Sequence, residues 1–108
     1  MVYRLGYDRP AYPIRATAIF ELWFESLKDR RAKARIQARI DRAEDGNFGD
    51  HKPIAQGVSE MRIHCGPGYR VYFKQKASEI VILLAGGDKS TQVADVKTAL
   101  RLARGLEV

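Results

Sequence analysis

Apolar and polar positions change their spacing several times along this chain, and each change marks an element. The opening residues, VYRLGY and then DRPAYP, read as a short strand or extended arm ended by two prolines. From about Ile14 the spacing turns helical: Ile14, Ala18, Leu22, Trp23 and Leu27 recur at three to four, with Phe20 and Phe24 widening the apolar face. Lys28 and Asp29 interrupt that stripe. A second amphipathic stretch follows, with Ala32, Ile36, Ile40 and Ala43 as its apolar line and Arg31, Arg35, Arg39 and Arg42 stacked on a neighbouring face. Asp45-Gly46-Asn47 ends it. The pattern fits two helices in a hairpin or one bent helix.

The segment from Phe48 to Gly57 is polar and carries Gly49, Pro53 and Gly57, so it reads as a loop. Beyond it the period switches to two. Ser59, Met61, Ile63 and Cys65 alternate with Val58, Glu60, Arg62 and His64, and Gly66-Pro67-Gly68 makes a turn. In the next strand Tyr69, Val71 and Phe73 share one face while Arg70, Tyr72 and Lys74 share the other. Lys76 to Ser78 is a second turn. Glu79 to Ala85 is continuously apolar after its first residue, as expected of a strand covered on both faces, and Gly86-Gly87 breaks it. Asp88 to Thr91 offers caps for a last helix striped by Val93, Val96, Leu100 and Ala103 and closed by Gly105. The order is β-α-α-β-β-β-α, an α+β fold with one twisted antiparallel sheet under its helices.

Size and composition narrow the class. A chain of 108 residues suits one domain, 1–108, and is too short for two independent cores. Hydrophobic residues at 45% and charged residues at 30% are ordinary globular composition and argue against a disordered chain. No long apolar run calls for a membrane, the opening MVYRLGYDRP lacks the apolar stretch expected of a secretory signal, and the lone Cys65 makes neither an intrachain disulfide nor a thiolate metal site by itself. The expected setting is cytoplasmic, with no metal and no cofactor. Nineteen Lys and Arg against thirteen Asp and Glu leave +6, which points to an anionic partner such as nucleic acid or an acidic protein.

That charge changes the reading of the strands. Glu60, Arg62 and His64 share one face of the first meander strand, and cross-strand pairing brings Arg62 near Arg70 if the register allows. Lys89 sits where the apolar strand runs into the last helix. Cations meeting on one sheet face beside Tyr72 and Lys74 suit RNA, with phosphates on the guanidinium groups and a base on the tyrosine. Arg62 and Arg70 also fit a solvated face paired with Glu60. An outward arginine stabilises little, so replacing Arg70 is expected to leave the fold intact. Lys28 to Arg42 carries seven cations and two anions, so the helix face with Arg31, Arg35 and Arg39 is a second place for RNA backbone. Phosphate-loop, dinucleotide and zinc-protease motifs are missing.

The blocks Val58-Ser-Glu-Met-Arg-Ile63, Gly68-Tyr-Arg-Val-Tyr-Phe73 and Gly86-Gly-Asp-Lys-Ser-Thr-Gln92, in that order after a helical hairpin, carry a resemblance. From about Thr17 to Leu102 the chain resembles the addiction module killer proteins of the RelE/ParE superfamily, the HigB-like toxins of type II toxin–antitoxin systems. The resemblance implies a RelE-like, microbial-ribonuclease-like fold. It also implies a toxin that cuts messenger RNA, usually at the ribosome, by attack of a ribose 2′-hydroxyl on the adjacent phosphate without a metal. Catalysis of that kind needs cations on the phosphorane and groups that move two protons.

Carried over by position, Arg62, Arg70 and Lys89 hold the phosphate and its transition state. The resemblance leaves the general base open between Glu60 and His64, with His51 and Lys52 behind them, because the tail from Ala103 to Val108 lacks the Tyr or His of many nuclease relatives. It further implies an acidic antitoxin, often a helix-turn-helix protein encoded next door, together with messenger RNA and the ribosome as partners. Two other functions stay open: a ParE-like gyrase poison that cuts no RNA, and an RNA-binding regulatory module.

Overall fold

The computed structural model describes residues 12–76 and 80–106. The strand or arm expected before residue 12 lies outside them, as does most of the Lys76–Ser78 turn. The described chain runs β1 (Ile14–Ala16), α1 (Ala18–Ser26), α2 (Arg30–Glu44), β2 (His51–Ala55), β3 (Val58–Ile63), β4 (Tyr69–Lys76), β5 (Ile80–Asp88), a single 3₁₀ turn (Lys89–Thr91) and α3 (Gln92–Gly105). Five strands form one sheet in the order β1-β5-β4-β3-β2. Helices α1 and α2 lie on one face of it and α3 on the other, an α+β arrangement in three layers.

Several expectations need correction. The helical spacing from Ile14 begins too early. Ile14–Ala16 is a strand parallel to β5, so the sheet is mixed rather than wholly antiparallel. The helix starts only after Thr17, whose extended backbone lets its side chain cap the Phe20 amide at 3.0 Å while its hydroxyl donates to the Leu84 carbonyl at 2.7 Å. The polar segment read as a loop contains β2, paired antiparallel with β3 through a tight turn in which Gln56 and Gly57 both adopt positive φ. It reads polar because it is an edge strand, where Pro53 is tolerated and little is buried.

The third correction concerns Gly86-Gly87, which does not end β5. The strand continues to Asp88, and both glycines are needed for close approach. A Cβ on Gly86 would stand 2.3 Å from the Trp23 ring, and one on Gly87 would collide with the Asp95 carboxylate of α3. Last, α3 buries Ala99 and Ala103 while Val93 is 73% exposed. At 100° per residue Val93 sits about 100° round the helix from the Ala99–Ala103 line, so the small residues, not the valine, set the contact.

The α2 stripe behaves as its spacing predicts. Ala32, Ile36, Ile40 and Ala43 are all buried against the sheet. Leu27 to Asp29 separates α1 from α2, and Asp29 caps α2 by accepting from the Arg31 and Ala32 amides, which settles the choice for two helices. In α1, Phe20 is buried with Trp23, Phe24 and Leu27 beside it, but Leu22 faces outward at 68% exposure. Alternation along the strands then sorts two cores. Met61, Ile63, Val71, Phe73 and Leu83 meet α1 and α2. Val58, Tyr72, Ile82 and Leu84 meet α3.

Candidate functional site

The alternation that sends Met61 and Ile63 toward α2 sends Glu60 and Arg62 to the α3 face, and Arg70 with them. Residues Arg62 and Arg70 are direct cross-strand partners in the β3–β4 ladder. Two guanidinium groups so placed repel one another, which is unfavourable unless anions compensate. Helix α3 covers only the end of this face that carries Val58, Tyr72 and Ile82. The other end is an open cleft of about 460 Å³ lined by Arg62, Arg70, Lys89, His64 and the turn from Cys65 to Gly68.

Lys89 reaches the cleft because of how β5 ends. Asp88 caps the 3₁₀ turn by accepting from the Ser90 amide at 2.8 Å and its hydroxyl at 2.6 Å, bonds that hold the Asp88 carboxyl below its ordinary pKa. The aliphatic stem of Lys89 then lies along Gly68, where an added Cβ would meet it at 3.5 Å. Gly68 has φ +82°, so a side chain there would be strained as well.

Each arginine has a carboxylate neighbour. Glu60 lies beneath Arg70, only 1% exposed, with Oε2 3.5 Å from Arg70 Nε and accepting from Gln92 Nε2 of α3 at 3.3 Å. Asp50, just before β2, accepts from Arg62 Nη2 at 3.0 Å through Oδ1. Its Oδ2 stands 2.5 Å from His64 Nε2. The His64 bond, helped by Arg62, holds the Asp50 carboxyl below the usual carboxylate range despite some desolvation. Among the described residues, the buried Nε atoms of Arg62 and Arg70 have no aligned hydrogen-bond acceptor. The cleft is lined by Arg62, Arg70 and Lys89, with Asp50 beside the first arginine and Glu60 beneath the second. No group of three His, Cys, Asp or Glu side chains suited to a metal occurs among the described residues.

Residues 22–105 match the model of the family described as Phage derived protein Gp49-like (DUF891). The chain belongs to that family. It is a toxin-like family of the RelE and addiction-module-killer kind. The chain is also 53% identical, over 86% of its length and 94% of the relative's, to an uncharacterized protein of Haemophilus influenzae.

In this Gp49-like chain the cleft gathers Arg62, Arg70, Lys89 and His64, with Glu60 beneath. The remaining residues expected at an RNA surface lie elsewhere. Tyr72 is fully buried under α3, its hydroxyl without a partner among the described residues, and burial followed by the Glu60 charge pushes its pKa up. It offers no ring for a base. Arg39 is likewise committed, donating to the carbonyls of Arg62 at 2.6 Å, Phe48 at 2.9 Å and Asp50 at 3.1 Å. It clamps the β2–β3 end of the sheet to α2 rather than facing a ligand.

Lys74 lines a separate groove with Gln56, Ala103 and Arg104 at the far end of β4. Lys52 is exposed on the edge strand opposite Glu60, and Arg31 is exposed on α2. His51 packs its ring against Phe48 and Phe73, which removes it from the cleft. Arg35 lines a second groove of about 390 Å³ with Arg39, Arg42, Ile63 and His64.

Arg70 also corrects an expectation. Its side chain is 12% exposed and paired with a buried carboxyl, so it is not an outward residue whose loss the fold ignores. Sequence reasoning missed Asp50, because nothing in the Gly49-Asp50 step announces a contact with residues 12 and 14 positions later. It also gave no role to Gln92, whose only signal was its place at the end of the third block.

Proposed function

We propose that this chain is the toxin of a type II toxin–antitoxin pair, a HigB-like member of the RelE/ParE superfamily with a RelE-like fold. Its activity would be metal-independent cleavage of messenger RNA at the ribosome. The observation that carries this reading is the convergence of Arg62, Arg70 and Lys89 on one open cleft. Cations crowded this closely gain most when a multiply charged anion sits among them, and a phosphorane carries more charge than the phosphate it forms from. Arg62 and Arg70 grip the scissile phosphate while Lys89, on the opposite wall, meets the leaving oxygen. A messenger strand laid across the cleft passes the α2 groove, where Arg35 and Arg42 attract its backbone. An acidic antitoxin, of helix-turn-helix type and encoded nearby, silences the toxin by covering the same basic surface.

Induced expression tests the reading. Translation stops and primer extension maps new 5′ ends inside translated messages. Growth arrest with intact messages and double-strand DNA breaks indicates the gyrase-poison activity instead. Normal growth with intact messages leaves only an RNA-binding module.

A further inference from the structure

The cleft holds cations, yet phosphodiester cleavage by an internal hydroxyl also needs a group that takes a proton. Resting on the nuclease reading, we infer that His64 is that catalytic residue and that Asp50 is its positioning residue. The competing groups are set apart from the open cleft wall, Lys52 because it stands on the edge strand and does not line the cleft. Glu60 is 1% exposed, roofed by Arg70 and tied to Gln92. His51 turns its ring onto Phe48 and Phe73 and keeps Nδ1 on the Gly49 carbonyl at 2.9 Å. His64, by contrast, is 75% exposed on the cleft wall beside Arg62.

Asp50 is a built support for that ring. Its main-chain carbonyl accepts from the Arg62 amide at 2.9 Å, extending the β2–β3 ladder by one step, and from Arg39 at 3.1 Å. Its carboxylate bridges Arg62 and His64. With His64 Nε2 committed to Asp50, Nδ1 is the ring nitrogen left for substrate. A carboxylate on Nε2 favours the tautomer that carries its proton there, leaving a lone pair on Nδ1. The charged groups facing His64 are Asp50 and Arg62 beside it, Arg70 and Lys89 across the cleft, and Arg35, Arg39 and Arg42 of α2 across the neighbouring groove.

The step balances within these groups. His64 Nδ1 takes the 2′-hydroxyl proton and O2′ forms a bond to phosphorus. The bond from phosphorus to O5′ breaks, and O5′ takes a proton from the Lys89 ammonium. The products are a 2′,3′-cyclic phosphate and a 5′-hydroxyl. Lys89 regains its proton, and His64 loses its own, through water.

The test is single-turnover cleavage of a message on programmed ribosomes by purified wild-type, His64→Ala and Asp50→Ala proteins, with and without added imidazole. The His64→Ala rate falls about 10²- to 10⁴-fold, melting temperature and ribosome binding hold, and imidazole raises the rate with its concentration. The Asp50→Ala loss is smaller and does not respond to imidazole, because the histidine is present but unoriented. Cleavage by His64→Ala at the wild-type rate overturns the inference, as does a slow variant that imidazole leaves slow. If wild-type protein cuts nothing, the nuclease reading itself fails and takes this one with it. If wild-type cuts and His64→Ala cuts equally, the nuclease reading stands and only the assignment of His64 falls.

Discussion

The two faces of the sheet are built from the same strands and do opposite things. Toward α1 and α2 the face is apolar along its length, with Met61, Ile63, Val71, Phe73 and Leu83 meeting Phe20, Ile36 and Ile40. Toward α3 it is apolar at one end, where Tyr72, Leu84, Ala99 and Ala103 pack, and polar at the other, where Glu60, Arg62 and Arg70 lie. A strand with period two serves both because neighbouring residues point to opposite faces, save at the β5 irregularity where Leu84 and Ala85 both pack toward α3. The helix decides which stretch of the second face becomes core. Helix α3 covers Tyr72 and leaves the Arg62–Arg70 pair at its open end, so burial and chemistry divide along one strand.

That division breaks most sharply with substitutions on the two sides. On the proposed nuclease activity, replacing Arg70 with Ala is expected to lower cleavage by about 10²- to 10³-fold, the scale of losing one preorganised transition-state contact. It also costs about 3–5 kcal/mol of stability, because Glu60 is left buried beneath it without its partner. Adding Glu60→Gln in the same chain recovers most of the stability and none of the cleavage, as chemical denaturation and primer extension will separately show. Ile36→Ala, on the apolar face, costs about 2–5 kcal/mol by leaving a cavity. The fraction that remains folded cuts normally. If Ile36→Ala abolished cleavage at full folding, the faces would not be independent.

A milder test compares two arginines on one helix. Arg39 satisfies three main-chain carbonyls, so Arg39→Ala destabilises by about 1–3 kcal/mol. Arg31→Ala, on an exposed position, stays within about 0.5 kcal/mol. Denaturation midpoints with an unchanged slope distinguish a clamp from a wet surface residue.

The smallest effect is that of pH on Asp50. Its carboxyl is depressed in the folded state, first by the His64 bond. The unfolded chain therefore binds this proton more readily, and stability from the pair is fully present above the unfolded value of about 3.9. It fades as pH falls through the folded value. Asp50→Asn is expected to be slightly less stable than wild type at neutral pH and to converge with it in acid. Parallel stability curves down to low pH would remove Asp50 from the pair.

Much of this arrangement is legible from residue order. The α2 stripe and the opposed faces of β3 and β4 follow from spacing alone. The failures have physical causes. Ile14–Ala16 looked helical because a three-residue strand is too short to show a period, and its pairing with Val81–Leu83 is made 67 positions away. Residues His51–Ala55 looked like loop because an edge strand has little to bury. Tyr72 looked like a stacking ring because its polar neighbours on β4, Arg70 and Lys74, share its face. Its burial depends on where α3 ends. Arg39 looked like its three neighbours on the helix until the backbone it clamps was in place.

By itself, then, the sequence pointed to a toxin-like family, the order of most elements and which strand residues share a face, because local spacing and short ordered motifs are written in the chain. The tertiary structure alone decided that Arg62 stands opposite Arg70, that Glu60 and Tyr72 are sealed while His64 is open, and that Asp50 ties Arg62 to His64. Those facts rest on strand register and on the reach of one helix. Both are settled by contacts between residues far apart in the chain, which no local pattern records.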